Sequence, residues 1–163
     1  MIPLPPSLKV ALNQQMNLER LNEAYYDALA TQMKVVVLDG SADFFTKSAR
    51  EEHSHYQSFN DYLIDRNEVP VLEAILKPVV NATSLFPAFT AALDREKLTT
   101  QAIDELYDLA EEAGDNATCT FLIPFINEQV KSERELLDIL AEIKRVGTGL
   151  GEQWLDHKIA ELK

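Results

Sequence analysis

The sequence predicts an all-α protein, an antiparallel four-helix bundle with one long crossover and a short fifth helix at the C-terminus. Three observations predict it. Four long segments repeat apolar residues at spacings of three and four, the mark of a helix with one buried face. Pro, Gly, Ser, Asp and Asn cluster at the borders of those segments, where helices start and stop. The main β-branched run, Val35-Val36-Val37, is too short to make a sheet.

The first helix follows Pro5 and Pro6, with Ser7 placed to cap it, and meets neither Pro nor Gly until Gly40. Its core stripe reads Leu12, Met16, Glu19, Glu23, Tyr26, Ala30, Met33. The valine run has few helix formers and precedes Asp39-Gly40-Ser41, where Asp39 or Ser41 can cap a second helix ending near Ile64 to Asn67. Its stripe is Phe45, Ala49, Glu52, Tyr56, Phe59, Leu63. Between Glu68 and Thr83, Pro70 and Pro78 flank apolar residues including Val71, Leu72, Ile75, Leu76 and Val79, which reads as a long, partly buried connection. Ser84 is placed to cap a third helix, with Pro87 tolerated in its first turn. Its stripe is Leu85, Phe89, Ala92, Glu96, Thr99, Ile103, Leu106, Ala110. Gly114-Asp115-Asn116 breaks the chain, and Asn116 can cap a fourth helix running to about Arg145, with Pro124 inside it. Its stripe is Leu122, Phe125, Gln129, Ser132, Leu136, Leu140, Ile143. After Gly147, Gly149 and Gly151 comes the fifth helix, with Trp154, Leu155, Ile159 and Leu162 on one side. Residues 1–163 are expected to form one domain, the bundle spanning about 7–145 and the last helix about 152–162.

Composition narrows the partners. Twenty-seven acidic against fifteen basic residues give a net charge of −12, which argues against a nucleic-acid surface and makes cations the natural small partners. Cys119 is the one cysteine, so neither an internal disulfide nor a Cys-x-x-Cys pair is available and a reducing compartment is expected. The first residues lack a basic flank and an uninterrupted apolar run, and no segment is long enough to span a bilayer. A soluble, cytoplasmic protein without a membrane partner is the expectation.

The stripes are broken by polar residues, and burying an unpaired carboxylate costs several kcal/mol. Glu52 therefore implies a partner: a cation, a basic side chain or a bound proton. His55 stands one turn along from it, and alone such a Glu-x-x-His pair is ordinarily solvated or hydrogen-bonded. Spacing adds more. Glu19 and Glu52 are thirty-three residues apart about a midpoint in the valine turn, and Glu96 and Gln129 are thirty-three apart about the Glu112 to Gly114 turn. Two antiparallel hairpins with equal offsets put all four at one height, with His55 beside Glu52. Packed carboxylates repel unless multivalent cations neutralise them, and oxygen ligands with one imidazole suit iron or manganese better than structural zinc. Tyr26, two turns after Glu19, is core or hydrogen-bonded to the site. His53, about 100° round the helix from Glu52, Glu51 and Glu128 are expected at the surface, where the two acids can form an outer cation site.

The segments Gln15-Met16-Asn17-Leu18-Glu19, Glu51-Glu52-x-x-His55 and Asn127-Glu128-Gln129-Val130 resemble, in order and spacing, the ferroxidase-centre motifs of prokaryotic non-haem ferritins, and the likeness covers nearly the whole chain. The wider ferritin-like dimetal pattern takes a Glu from two helices and a Glu-x-x-His from the other two. Here the fourth helix offers Gln129 and Ser132 instead, which is similar to ferritins proper and unlike bacterioferritins, and His53 stands where a haem-ligating methionine would be, so no haem is expected. The resemblance implies that Glu19 and His55 ligate one iron, that Glu52 bridges, that Glu96 ligates the second, and that Gln129 is a nearby polar partner. It implies two irons per chain, Fe(II) oxidised by dioxygen or hydrogen peroxide, and a ferric mineral stored in a homo-oligomeric cage of twenty-four subunits. Tyr26 matches the family's tyrosine beside the centre. Glu23 is an extra acid, either a transit ligand or a residue of the bundle's edge, and Glu51 and Glu128 are the remnants of a third, weak site. A shell subunit without catalysis, and a rubrerythrin-like oxidase or peroxidase without storage, are the other readings. The full ligand set argues against the first, and the fifth helix with the missing second Glu-x-x-His argues against the second.

Overall fold

Five helices follow one another along the chain: α1 (Pro6–Val35), α2 (Asp39–Asp65), α3 (Leu85–Glu112), α4 (Asn116–Val146) and α5 (Leu150–Ile159). The structure, a computed structural model, describes residues 3–162; Met1, Ile2 and Lys163, which belong to the expected domain and its N-terminal flank, lie outside the described residues. α1 packs antiparallel on α2 and α3 on α4, α1 also meets α3, and α5 lies against α2 and α4. This is the predicted architecture. Among the described residues no helix is long and apolar enough to cross a membrane.

The apolar interior is divided in two. One cluster gathers Tyr26, Leu29, Met33, Phe45, Phe89 and Leu140 with the buried face of α5. The other gathers Leu8, Leu12, Met16, Phe59, Ile103 and Leu122. Aromatic contacts knit each half, Phe45 on Phe89 at 4.9 Å and Phe59 on Phe125 at 4.8 Å between ring centroids. Each fully buried large side chain contributes about 1.5–3 kcal/mol, so the two clusters hold the bundle shut on both sides of whatever lies between them. What lies between is polar: Glu19, Asn22, Glu52, Glu96, Thr99 and Gln129 are all buried, and all fall in the stretches of helix that the two clusters leave out.

Helix ends differ from expectation. Ser7 lies inside the first turn of α1, after Pro5, and Asp39 and Ser41 lie inside α2, whose N-cap is Leu38. Ser84 does cap α3 by position, yet its side chain makes no capping bond. Asp115, not Asn116, caps α4 by accepting from Thr118 N at 3.0 Å. The first N–H groups of α2 and α3, which lack a partner within their own helix, are met from α5 instead. Asp156 accepts from Gly40 N at 2.9 Å and Ser41 N at 2.7 Å, and Glu152 accepts from Leu85 N at 2.8 Å. Gly40 is required there, since a Cβ would come 1.9 Å from the Asp156 carbonyl oxygen. α5 starts earlier than expected because the break falls at Gly147 and Gly149, whose φ of 70° and 76° favour glycine. It buries Leu155, Asp156 and Ile159 and leaves Trp154 51% exposed, and because it ends at Ile159, earlier than expected, Leu162 lies beyond it at 52%.

The connection from α2 to α3 is extended and lies along α1. Asn13 Oδ1 accepts from Val71 N at 2.7 Å, Asn17 bonds Val71 O at 2.8 Å and Glu73 N at 2.9 Å, and Gln32 bonds both Val80 O and Ala82 N. The polar face of α1 thus takes the strap's backbone, and most of the strap's apolar side chains turn outward, while Val80 packs against the first cluster and Ala82 is buried. Leu76 is 74% and Val79 88% exposed, where the sequence pattern suggested partial burial.

Candidate metal centre

The polar layer sits mid-bundle because each of its residues is one or two turns from apolar residues that are buried on the same helix face. Glu19 follows Met16 on α1 and Glu52 follows Ala49 on α2, so burying those neighbours drags the carboxylates inside. Glu19, Glu52 and His55 each offer a ligand atom within 4.8 Å of the other two, the kind of convergence a cation requires, among the described residues. His55 Nδ1 is 3.5 Å from Glu52 Oε2 and its Nε2 is 3.2 Å from Glu128 Oε2. Its ring edge meets Phe125, which closes the site toward the second apolar cluster.

Glu96 stands on the other side of the layer. Its carboxylate takes the Tyr26 hydroxyl and, at 2.8 Å, Gln129 Nε2, and these two bonds hold it apart from the triad. One narrow cavity is nevertheless shared, lined by Tyr26, Glu52, His55, Glu96, Glu128 and Gln129. Glu19 is not part of that lining; it joins the group from α1 through its approach to Glu52 and His55, with Glu96 set back on α3.

The electrostatics follow from burial. Glu19 is fully enclosed, and desolvation together with the charge of Glu52 raises its pKa well above 4.5. Burial alone would lower the His55 pKa, but hydrogen bonds to Glu128 and Glu52 outweigh it and the imidazole is pushed up to about 11. Tyr26 is raised by burial and by the adjacent Glu96. Burial thus favours the protonated form of Glu19, the contacts to Glu128 and Glu52 favour the protonated His55, and a cation bound there would have to displace those protons.

Other residues fall elsewhere. Glu23 does not reach the triad; it pairs with the exposed His53 at 3.1 Å. Glu51 is exposed. Glu128 is half-buried and bound to His55, closer to the centre than the outer position expected of it. Three residues were missed. Gln15 Nε2 donates to Glu19 Oε1 at 2.6 Å. Asn22, fully buried, takes the core position at which Glu23 was expected, and Arg95 donates to it from α3 at 2.5 Å. Gln15 and Asn22 lie four residues before and three after Glu19, a spacing that could have flagged both.

Known proteins match along this length. A family model described as a ferritin-like domain matches residues 9–146. A bacterial non-heme ferritin of Staphylococcus epidermidis (strain RP62A) is 34% identical over 155 residues, covering 95% of this chain and 93% of that protein. Another of Escherichia coli O6:H1 is 30% identical over 160 residues, 98% and 97% of the two chains, and one of Staphylococcus aureus (strain USA300) is 30% identical over 155 residues, 95% and 93%. With the family model spanning most of the chain and relatives at this identity along nearly all of it, the chain belongs to the ferritin-like family and is of the bacterial non-haem ferritin type.

Proposed function

We propose that this protein is an iron-storage ferritin with ferroxidase activity, taking Fe(II) as substrate, oxidising it at a centre inside each bundle and storing it as a ferric oxide-hydroxide mineral in a cytoplasmic cage of twenty-four copies. Residues 1–163 make up one domain in this reading. The observation that carries it is the convergence of the buried Glu19 and Glu52 with the partly buried His55, ligand atoms within 4.8 Å of one another, in a layer sealed on both sides by apolar clusters.

Glu19 and His55 would take one Fe(II), Glu52 would bridge, and Glu96 would take the second, two irons per chain. Gln129 and Tyr26 hold the Glu96 carboxylate by hydrogen bonds and set the direction from which it can turn toward the cavity. Glu128 is bound to His55 Nε2, so it can accept the proton that the imidazole must give up to become a ligand. Glu23 serves outside the centre and Glu51 at the edge of its cavity, both as acids that draw cations toward it. A pair of Fe(II) ions supplies the two electrons that take dioxygen to hydrogen peroxide, and either oxidant fits the reading.

The test is anaerobic Fe(II) titration followed by air. A fast phase saturating at about two irons per chain is expected, the stoichiometry of a dinuclear centre. In Glu52→Ala that phase should vanish; its survival unchanged would remove the bridge and with it the proposed centre.

A further inference from the structure

Arg95 is a half-buried cation on α3 to which the ligand assignment gives no task. Its Nε donates to Asn22 Oδ1 at 2.5 Å, its guanidinium lies over the Tyr25 ring at 5.6 Å, and its Nη2 is buried without a hydrogen-bond partner among the described residues. A methionine or leucine would fill such space without an orphaned donor, so packing alone does not account for an arginine here.

Asn22 is what Arg95 holds. From the core of α1, its Nδ2 faces Glu19 Oε2 at 3.2 Å, Glu52 Oε2 at 3.3 Å and Thr99 Oγ1 at 3.0 Å. One amide nitrogen therefore stands between the two carboxylates that converge with His55. A guanidinium has donors and no acceptor, so it can face only the oxygen of that amide, which turns the nitrogen onto the acids. Released from Arg95, the amide is free to flip and would set its oxygen against two carboxylates.

We propose that Arg95 is a positioning residue that acts through Asn22 to hold Glu19 and Glu52 in the shared orientation a divalent cation needs. This rests on the reading of Glu19, Glu52 and His55 as a metal centre. Two effects of Arg95 oppose each other. Its charge disfavours a second cation nearby, while its grip on Asn22 favours one. Partners that orient metal ligands are worth about 10–100-fold in affinity, and with Asn22 standing between the guanidinium and the acids, orientation outweighs repulsion.

The experiment is anaerobic titration with Co(II), followed by visible absorption and by calorimetry, on the parent, Arg95→Met, Arg95→Lys, Asn22→Ala and the Asn22→Ala/Arg95→Met double variant, each checked for helicity and thermal midpoint. Arg95→Met should weaken the first-bound ion about tenfold and alter its absorption bands. Arg95→Lys keeps the charge but lacks the planar Nε–H, and should be weakened as well; it carries the test if Arg95→Met fails to fold. The double variant should bind no more weakly than Asn22→Ala alone, because both changes break one connection. Binding as tight as the parent or tighter in Arg95→Met, full rescue by Arg95→Lys, or additive losses in the double variant would each overturn the proposal. A parent that takes up no Co(II), or takes it up equally in Glu52→Ala, overturns the metal-centre reading itself, a failure distinct from these.

Discussion

Glu19 is buried to the last atom beside a second carboxylate, and the cost of that placement has a sign that can be measured. Its folded-state pKa is raised above 4.5 by desolvation and by Glu52, so the stability it permits is fully present below pH 4.5 and is lost as pH rises through the folded value. At neutral pH the metal-free chain therefore carries a penalty that a neutral side chain would not. Glu19→Gln should raise the stability of the metal-free protein at pH 7 by about 1–2 kcal/mol, with Gln15 turning its amide to accept, and the difference should close near pH 4.5. Thermal unfolding with a chelator at the two pH values decides it; equal midpoints at pH 7 would contradict the account. The same residue shows what a sequence reveals at this scale. A carboxylate inside an apolar stripe stands out, which is why Glu19, Glu52 and Glu96 were legible. Asn22 and Glu23 flank the direction of Glu19 by about 60° and about 40° on opposite sides at 100° per residue, and spacing alone leaned to the wrong one. The neighbouring helix α3 decides between them, because Thr99 and Arg95 bond Asn22, and α3 lies more than seventy residues away in sequence.

Helices were legible as elements because their stripes are long and regular, whereas their ends depended on partners distant in the chain. The N–H groups that open α2 are met by Asp156, from 115 and 116 residues further on, and no local pattern around Asp39 or Ser41 could announce that. Asp156→Ala should strip two backbone donors and the Ser41 hydroxyl of their acceptor and cost about 2 kcal/mol, in the range of a lost cap. It should also loosen α5, so that limited proteolysis near Gly147–Gly149 becomes faster; unchanged cleavage would mean that Leu155 and Ile159 dock α5 alone. The turn between α1 and α2 offers the opposite case. Val37 has a φ of 61°, a left-handed conformation that costs a β-branched residue about 1–2 kcal/mol, and it is 76% exposed, so nothing is gained by its packing. Val37→Gly should therefore stabilise the chain by about 1 kcal/mol, read as a higher thermal midpoint, while Asn67, at φ 60° in the turn after α2, is already a tolerant residue.

At the scale of the whole molecule, the equal spacing of Glu19 to Glu52 and Glu96 to Gln129 made the common height of the polar layer legible, and the division of the core into two clusters is its structural counterpart. The crossover is less buried than its apolar residues suggest, with Val80 and Ala82 packed inward and the rest turned out, because a stretch of apolar residues says that something must cover it, not what. Its backbone is anchored on Asn13, Asn17 and Gln32 of α1, which fixes the strap with Val69, Leu76 and Val79 pointing outward at 78%, 74% and 88% exposure. In the proposed cage another copy would cover this ridge, the apolar contact working against the repulsion between chains of charge −12, which salt weakens. Leu76→Glu/Val79→Glu should therefore reduce the particle from the proposed cage to a small species by light scattering, most completely at low ionic strength. The proposed metal centre draws its residues from one bundle, so the small species should still bind divalent cations per chain as the parent does. It should oxidise Fe(II) yet fail to keep the product in solution, because in the proposed function the cage and not the single bundle retains the mineral. An undiminished particle mass would show that the ridge is not the seam between copies.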